Sequence, residues 1–139
     1  MTPFLQQLVA RGCITATQDT PLQNIAETMT KARIGTVVIC DDHEIIGILS
    51  ERDIIRTIAK HGSISEMKAG DIMTRDVFFI PPTVNSTTIM DIMSARKIRH
   101  IPIVEDGKLR GIVSITDVVR RLSEKTKEEA DLLREFINS

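Results

Sequence analysis

The sequence predicts a mixed α/β fold in which two β-α-β-β-α repeats pack about a pseudo-twofold axis, with an additional helix at each end. Three observations carry that expectation. One stretch occurs twice, as Gly47-Ile48-Leu49-Ser50-Glu51-Arg52-Asp53 and as Gly111-Ile112-Val113-Ser114-Ile115-Thr116-Asp117, 64 residues apart. Shifting the chain by that interval aligns Ile14 to Ile58 with the second half without a gap, placing Ile25 on Ile89, Met29 on Met93, Ile34 on Ile98, Ile39 on Ile103, Asp42 on Asp106 and Arg56 on Arg120. Finally, a half of about sixty residues buries too little surface to be comfortable alone, so the two units are expected to pack on each other.

The elements follow in order. Phe4, Leu5, Leu8 and Val9 recur at helical spacing, Pro3 suits the first helical position and Gly12 suits the stop, which predicts a short lead-in helix. A brief extended piece around Ile14 to Thr17 comes next. Thr20-Pro21-Leu22-Gln23 then reads as a capping box with proline at its first helical position, opening a helix with Leu22, Ile25, Ala26 and Met29 on one face. The β-branched run Thr36 to Cys40, the turn Asp41-Asp42-His43 and the run Glu44 to Leu49 predict a hairpin. A helix from about Glu51 to Lys60 follows, ended by His61-Gly62-Ser63.

Residues 64 to 72 read as a polar linker, and Asp71-Ile72-Met73-Thr74 enters the second half. There Val77 to Ile80 is expected extended, Asn85 or Ser86 caps a helix with Ile89, Ile92 and Met93 inward, and Asp106-Gly107 turns the hairpin between His100 to Val104 and Lys108 to Val113. The expected division is 1–12 lead-in helix, 13–62 first repeat, 63–75 linker, 76–123 second repeat and 124–139 terminal helix. In that last helix Ala130, Leu133 and Ile137 form an apolar stripe with Leu132 and Phe136 beside it. The stripe is expected to pack on its own domain, or else against another subunit.

Composition excludes several classes. The 18 Lys and Arg nearly balance the 19 Asp and Glu, so there is no overall polyanion-attracting field, and the absence of Trp and Tyr removes most stacking platforms for nucleic acid. Four Phe leave the core to Ile, Val, Leu and Met. Cys13 and Cys40 form no C-x-x-C or Cys/His cluster, so no metal is expected and both are read as thiols in a reducing cytoplasm. No run approaches the roughly 20 apolar residues of a membrane span. The chain reads as a soluble cytoplasmic protein. The three His sit at unrelated repeat positions and no Ser/His/Asp or Cys/His grouping can be assigned, so no enzyme is expected.

Ser-x-x-Asp at a helix start is, on its own, a capping box. The same geometry also serves a ligand. Unpaired amides and the positive dipole end face a phosphate, the Ser hydroxyl adds a donor, and a carboxylate one turn in accepts from both hydroxyls of a ribose diol. The Gly-rich loop and Lys of a P-loop are missing.

These features together, with Asp71-Ile72-Met73-Thr74 between the units and Arg99-His100-Ile101-Pro102-Ile103-Val104 in the second, resemble a tandem pair of CBS (cystathionine β-synthase) domains, a Bateman module of the stand-alone prokaryotic signalling type. The resemblance spans about Ile14 to Leu122. It implies a non-catalytic regulatory module that senses an adenine nucleotide (AMP, ADP, ATP, NAD(H) or S-adenosylmethionine) in clefts between the repeats, with no cofactor required. One cleft would use Ser114, Thr116, Asp117, Arg99, His100 and the neighbouring Ile101 and Pro102, with Thr20 from the first half. The other would use Ser50, Arg52 and Asp53. Because Arg99 and His100 align with Gly35 and Thr36, the Asp117 cleft is expected to hold phosphate more tightly. The resemblance also implies a parallel or antiparallel homodimer through the helices, with Met29, Met93 and the tail as contacts, and a regulated protein partner. The competing reading is a ligand-free dimerisation or protein-interaction module.

Overall fold

The computed structural model describes residues 1–138. In chain order the elements are α1 (Pro3–Arg11), β1 (Thr15–Ala16), α2 (Leu22–Ala32), β2 (Thr36–Asp41), β3 (Glu44–Ser50), α3 (Glu51–His61), α4 (Ala69–Ile72), α5 (Ser86–Arg96), β4 (His100–Glu105), β5 (Lys108–Ser114) and α6 (Ile115–Asn138). The helix ends follow local chemistry. Thr2 caps α1 with Pro3 at the first position, and Gly12 closes it at φ 71°. Asn85 caps α5 by accepting from the Thr88 amide at 2.8 Å. The capping box expected at Thr20 does not form. Pro21 is the N-cap of α2, and the Thr20 hydroxyl accepts from the Thr17 amide instead, at 3.1 Å.

The repeat shows in the backbone itself. Both α2 and α5 end on a left-handed residue, Arg33 at φ 55° and Lys97 at φ 56°. Both hairpins turn through two positive-φ residues, Asp42-His43 and Asp106-Gly107, as the right-handed twist of paired strands requires. Register slips at Ile39/Cys40 and again at Ile103/Val104. β1 joins β2 in parallel to give a three-stranded sheet β1-β2-β3, whereas β4 and β5 form a two-stranded sheet. The strand expected at 77–80 is reduced to a bridge from Ile80 to Ile103, since Pro81 and Pro82 follow and can donate no further ladder bonds.

Each repeat has its own aliphatic core, and each core is completed from outside. The first is built on Leu22, Ile25, Val37, Ile39 and Leu49 and takes Ile64, Ala69 and Met73 from the segment read as a polar linker. The second is built on Ile89, Met93, Ile101, Ile103 and Val113 and takes Leu5 and Leu8 from α1. The lead-in to each half thus packs on the other half. Gly47 and Gly111 make this close approach possible: a Cβ on Gly47 would stand 2.5 Å from Met73 Sδ, and one on Gly111 would stand 3.3 Å from the Leu8 carbonyl oxygen. Met29 and Met93, expected at a dimer contact, are buried in these cores at 6% and 2% exposure. They fill helix-to-sheet gaps rather than an outer face.

The division expected at 123/124 falls inside one continuous helix, α6, about 36 Å long at 1.5 Å per residue. Ser139 lies outside the described residues. The stripe expected to pack on its own domain stays on the surface: Leu132, Leu133, Phe136 and Ile137 are 60 to 78% exposed. Among the described residues no helix is long and apolar enough to cross a membrane.

Candidate functional site

The two repeated stretches take the same local form. β3 ends on Ser50 in extended conformation, and α3 starts with a reciprocal cap: Asp53 N donates to Ser50 Oγ at 3.2 Å and Ser50 N donates to Asp53 Oδ2 at 2.8 Å. α6 starts likewise, with Asp117 N donating to Ser114 Oγ at 3.2 Å and Ser114 N to Asp117 Oδ2 at 2.9 Å. Each helix start is also tied to the strand beside it. Glu51 N donates to the Gly35 carbonyl at 2.9 Å, and Ile115 N to the Arg99 carbonyl at 2.8 Å. The capping reading holds for both copies; the carboxylates differ in what else they touch.

Asp53 is half-buried and has no ion pair among the described residues. It opens onto a cleft of about 570 Å³ between the repeats. One wall is the first turns of α3, with Ser50, Glu51, Arg52 and Arg56, and the start of β2, with Gly35 and Thr36. The facing wall is the end of α5 and the start of β4, with Arg96, Lys97, Arg99 and His100. Thr74, Asp76, Val77 and Phe78 close it from the lead-in to the second repeat. Five permanent cations (Arg52, Arg56, Arg96, Lys97, Arg99) thus outnumber three carboxylates (Glu51, Asp53, Asp76), and Ile48, Val77 and Ile98 supply apolar wall. Arg96 lies over the Phe78 ring, 3.8 Å from its centroid. Burial holds the His100 imidazole below its ordinary pKa; Asp117 and Glu51 pull it back up, and Arg99 pushes it further down.

Asp117 is spoken for. It is only 6% exposed, and the Arg11 guanidinium grips it at two points, Nη1 to Oδ1 at 3.0 Å and Nη2 to Oδ2 at 3.1 Å. Ser114 Oγ adds a donor at 2.9 Å, and Arg120 stands 4.0 Å away. Burial pushes the carboxyl up, but Arg11 and the Ser114 amide and hydroxyl outweigh it and hold the group below its ordinary value. The Arg11 guanidinium is correspondingly raised by its bond to Asp117.

The expected residues therefore regroup. Arg99 and His100, assigned from sequence to the Asp117 cleft, border the Asp53 cleft, where they face Gly35, Ser50 and Asp53 of the opposite repeat. The Asp53 cleft does not lack basic groups, and the charge argument for tighter phosphate binding at Asp117 loses its premise. Ser50, Arg52 and Asp53 line the same cleft. Thr116 is exposed on the first turn of α6, beside half-buried Ser114. Ile101 is fully buried in the second core, and Pro102 is buried with its carbonyl bonded to Ile80 N at 3.0 Å, so neither side chain faces a cleft. Thr20 is engaged with Thr17, and its carbonyl accepts from Ala69 N at 2.9 Å. Residues that sequence reasoning missed include Arg11, Arg56, Phe78, Arg96 and Lys97. Of these, Arg11 and Arg56 carried a readable signal, since they match Arg75 and Arg120 at the repeat interval.

A second hollow of about 550 Å³ lies at the hairpin ends, bordered by Cys13, Thr15, Thr17, Cys40, His43 and Arg110. Burial pushes both thiols up, away from the reactive thiolate. Among the described residues no cluster of His, Cys, Asp or Glu could hold a metal.

Known proteins share this organisation. The CBS domain family model matches twice, over residues 5–60 and 69–124. The mitochondrial CBS domain-containing protein CBSX3 of Arabidopsis thaliana is 34% identical over 127 residues, covering 87% of this chain and 62% of that protein. The chain thus spans under two thirds of that relative's length. Among solved structures, the CBS-domain-containing protein ATU1752 from Agrobacterium tumefaciens superposes with a TM-score of 0.76 at 31% identity, over 84% of this chain and 90% of its own. The CBS domain pair of protein MJ0100, in complex with 5-methylthioadenosine and S-adenosyl-L-methionine, superposes with a TM-score of 0.72 at 26% identity, over 80% and 92%. With two matched repeats, a shared fold and paired Gly-Ile-aliphatic-Ser-x-x-Asp stretches, the chain belongs to the CBS domain family as a tandem pair.

Proposed function

We propose that the protein is a non-catalytic regulatory module that senses an adenine-containing nucleotide in the cleft at Asp53. One observation carries this reading: a half-buried carboxylate with no ion pair among the described residues stands at a helix N-terminus, in a cleft between the repeats lined by five cationic side chains. Asp53 Oδ1 is placed to accept from a ribose diol. Arg52, Arg99 and Arg96 suit phosphate. Ile48, Val77 and Ile98 suit the flat apolar face of a base. The MJ0100 domain pair, which holds adenosine-type ligands on the same fold, supports that choice of ligand class. AMP, ADP, ATP and NAD(H) fit the basic wall better than S-adenosylmethionine, whose sulfonium is cationic.

A ligand spanning both walls alters the angle between repeats and passes that change to a partner. The proposed assembly is a homodimer through the outward helix faces, where Ile55, Ile58 and Val119 are 64%, 43% and 48% exposed. A strict monomer by sedimentation at micromolar concentration would count against that assembly.

Thermal unfolding with AMP, ATP, NADH and S-adenosylmethionine tests the reading. Ligand at a hundred times its dissociation constant adds about 2.7 kcal/mol, roughly 5 °C or more in a domain of this size. The expected result is a shift with at least one phosphate-bearing nucleotide that Asp53→Asn removes. No shift with any of the four would favour the ligand-free interaction module.

A further inference from the structure

The two repeats carry the same Ser-x-x-Asp element, yet only one carboxylate is open. At Asp117, Oδ2 already accepts from Arg11 Nη2, Ser114 N and Ser114 Oγ, and Oδ1 accepts from Arg11 Nη1. A carboxylate offers about four lone-pair sites, so the set is nearly filled. Arg11 is itself anchored by a third bond, Nη2 to the Ile112 carbonyl at 3.1 Å, and α1 beneath it is fixed by Leu5 and Leu8 in the second core. The first repeat has the same residue at the same interval, Arg75, but its guanidinium donates to the Gly70 carbonyl at 3.2 Å and leaves Asp53 alone. Identical sequence positions thus produce a closed carboxylate in one half and an open one in the other.

We infer that Arg11 is an internal occupant of the second nucleotide position, standing where a ribose diol would bind Asp117, so that each chain takes one nucleotide, at Asp53. This rests on the proposed reading of Asp53 as a ribose-binding carboxylate. A fork of two N–H donors replaces the two hydroxyl donors of a diol, and the charge of the guanidinium makes its bonds the stronger set. Arg11 therefore sets both the stoichiometry of the module and which half responds to ligand.

Isothermal titration of AMP and ATP into the full chain, as wild type and as Asp53→Asn, Asp117→Asn, Arg11→Ala and Arg11→Gln, tests the assignment. The expected result is one site per wild-type chain, abolished by Asp53→Asn and unchanged by Asp117→Asn. Arg11→Ala or Arg11→Gln should raise the count to two, with the added site lost when Asp117→Asn is combined with either. Two sites in the wild type, or one site in wild type and both Arg11 variants alike, overturn the inference and leave the Asp53 reading intact. If the wild type binds neither nucleotide, the Asp53 reading fails. The Arg11 variants then decide alone: binding that depends on Asp117 supports the internal occupant, and none refutes it. Should both Arg11 variants fail to fold, the wild-type count and the effect of Asp117→Asn still decide the outcome.

Discussion

Arg96 and Phe78 meet across the mouth of the Asp53 cleft, the guanidinium 3.8 Å from the ring centroid, one contributed by the last turn of α5 and the other by the segment leading into it. The ring fixes a long cation where a phosphate would lie, and so reduces the entropy lost on binding. Phe78→Ala should lower stability by about 1–3 kcal/mol, because the half-buried ring also packs against the second core. It should also weaken binding of a phosphate-bearing nucleotide severalfold while leaving adenosine binding nearly unchanged. Equal losses for both ligands would place the Phe78 contribution elsewhere, on the base.

His100 gives the cleft a pH response. Burial depresses its pKa, so the imidazole is largely neutral at neutral pH in the free protein. A bound phosphate stabilises imidazolium and raises that pKa, so binding takes up a proton and affinity should rise as pH falls from 8 to 6. His100→Gln should flatten the dependence. Titrations in buffers of different ionisation enthalpy would count the protons directly.

The Arg11–Asp117 pair predicts an acid limb in stability. The Asp117 carboxyl lies below its ordinary value in the fold, so its contribution is complete above about pH 4, the unfolded value, and is lost as pH falls through the folded one. Denaturant titrations from pH 7 to pH 2 should show Asp117→Asn less stable than wild type by about 1–3 kcal/mol at pH 7, the two curves converging at the acid end. Parallel curves would mean that other carboxylates carry the limb.

Gly47 and Met73 predict a steric cost in the first core. An alanine methyl at 47 would meet Met73 Sδ at 2.5 Å, Cγ at 2.8 Å and Cβ at 3.1 Å, with Met73 only 7% exposed and short of room to move. Gly47→Ala should therefore cost about 1–3 kcal/mol, and pairing it with Met73→Ala should recover part of the loss. Urea unfolding of the four proteins in this cycle measures the coupling.

The amino-acid sequence by itself determined the two repeats, their hairpins and the paired helix starts, because each depends on neighbours a few residues away. β-branched runs, positive-φ turn positions such as Asp106-Gly107 and the Ser50–Asp53 and Ser114–Asp117 caps are local chemistry that the 64-residue interval makes visible twice. Tertiary structure alone decided how the two helix starts differ in use. Arg11 and Asp117 are 106 residues apart, and only the crossing of α1 onto β5 at Gly111 brings them together. Arg99 sits beside the second motif in alignment, yet it borders the first, because the start of β4 faces the opposite repeat. Periodicity records which face of an element is apolar but not which other element covers it, so the open carboxylate at Asp53 and the closed one at Asp117 look alike in sequence.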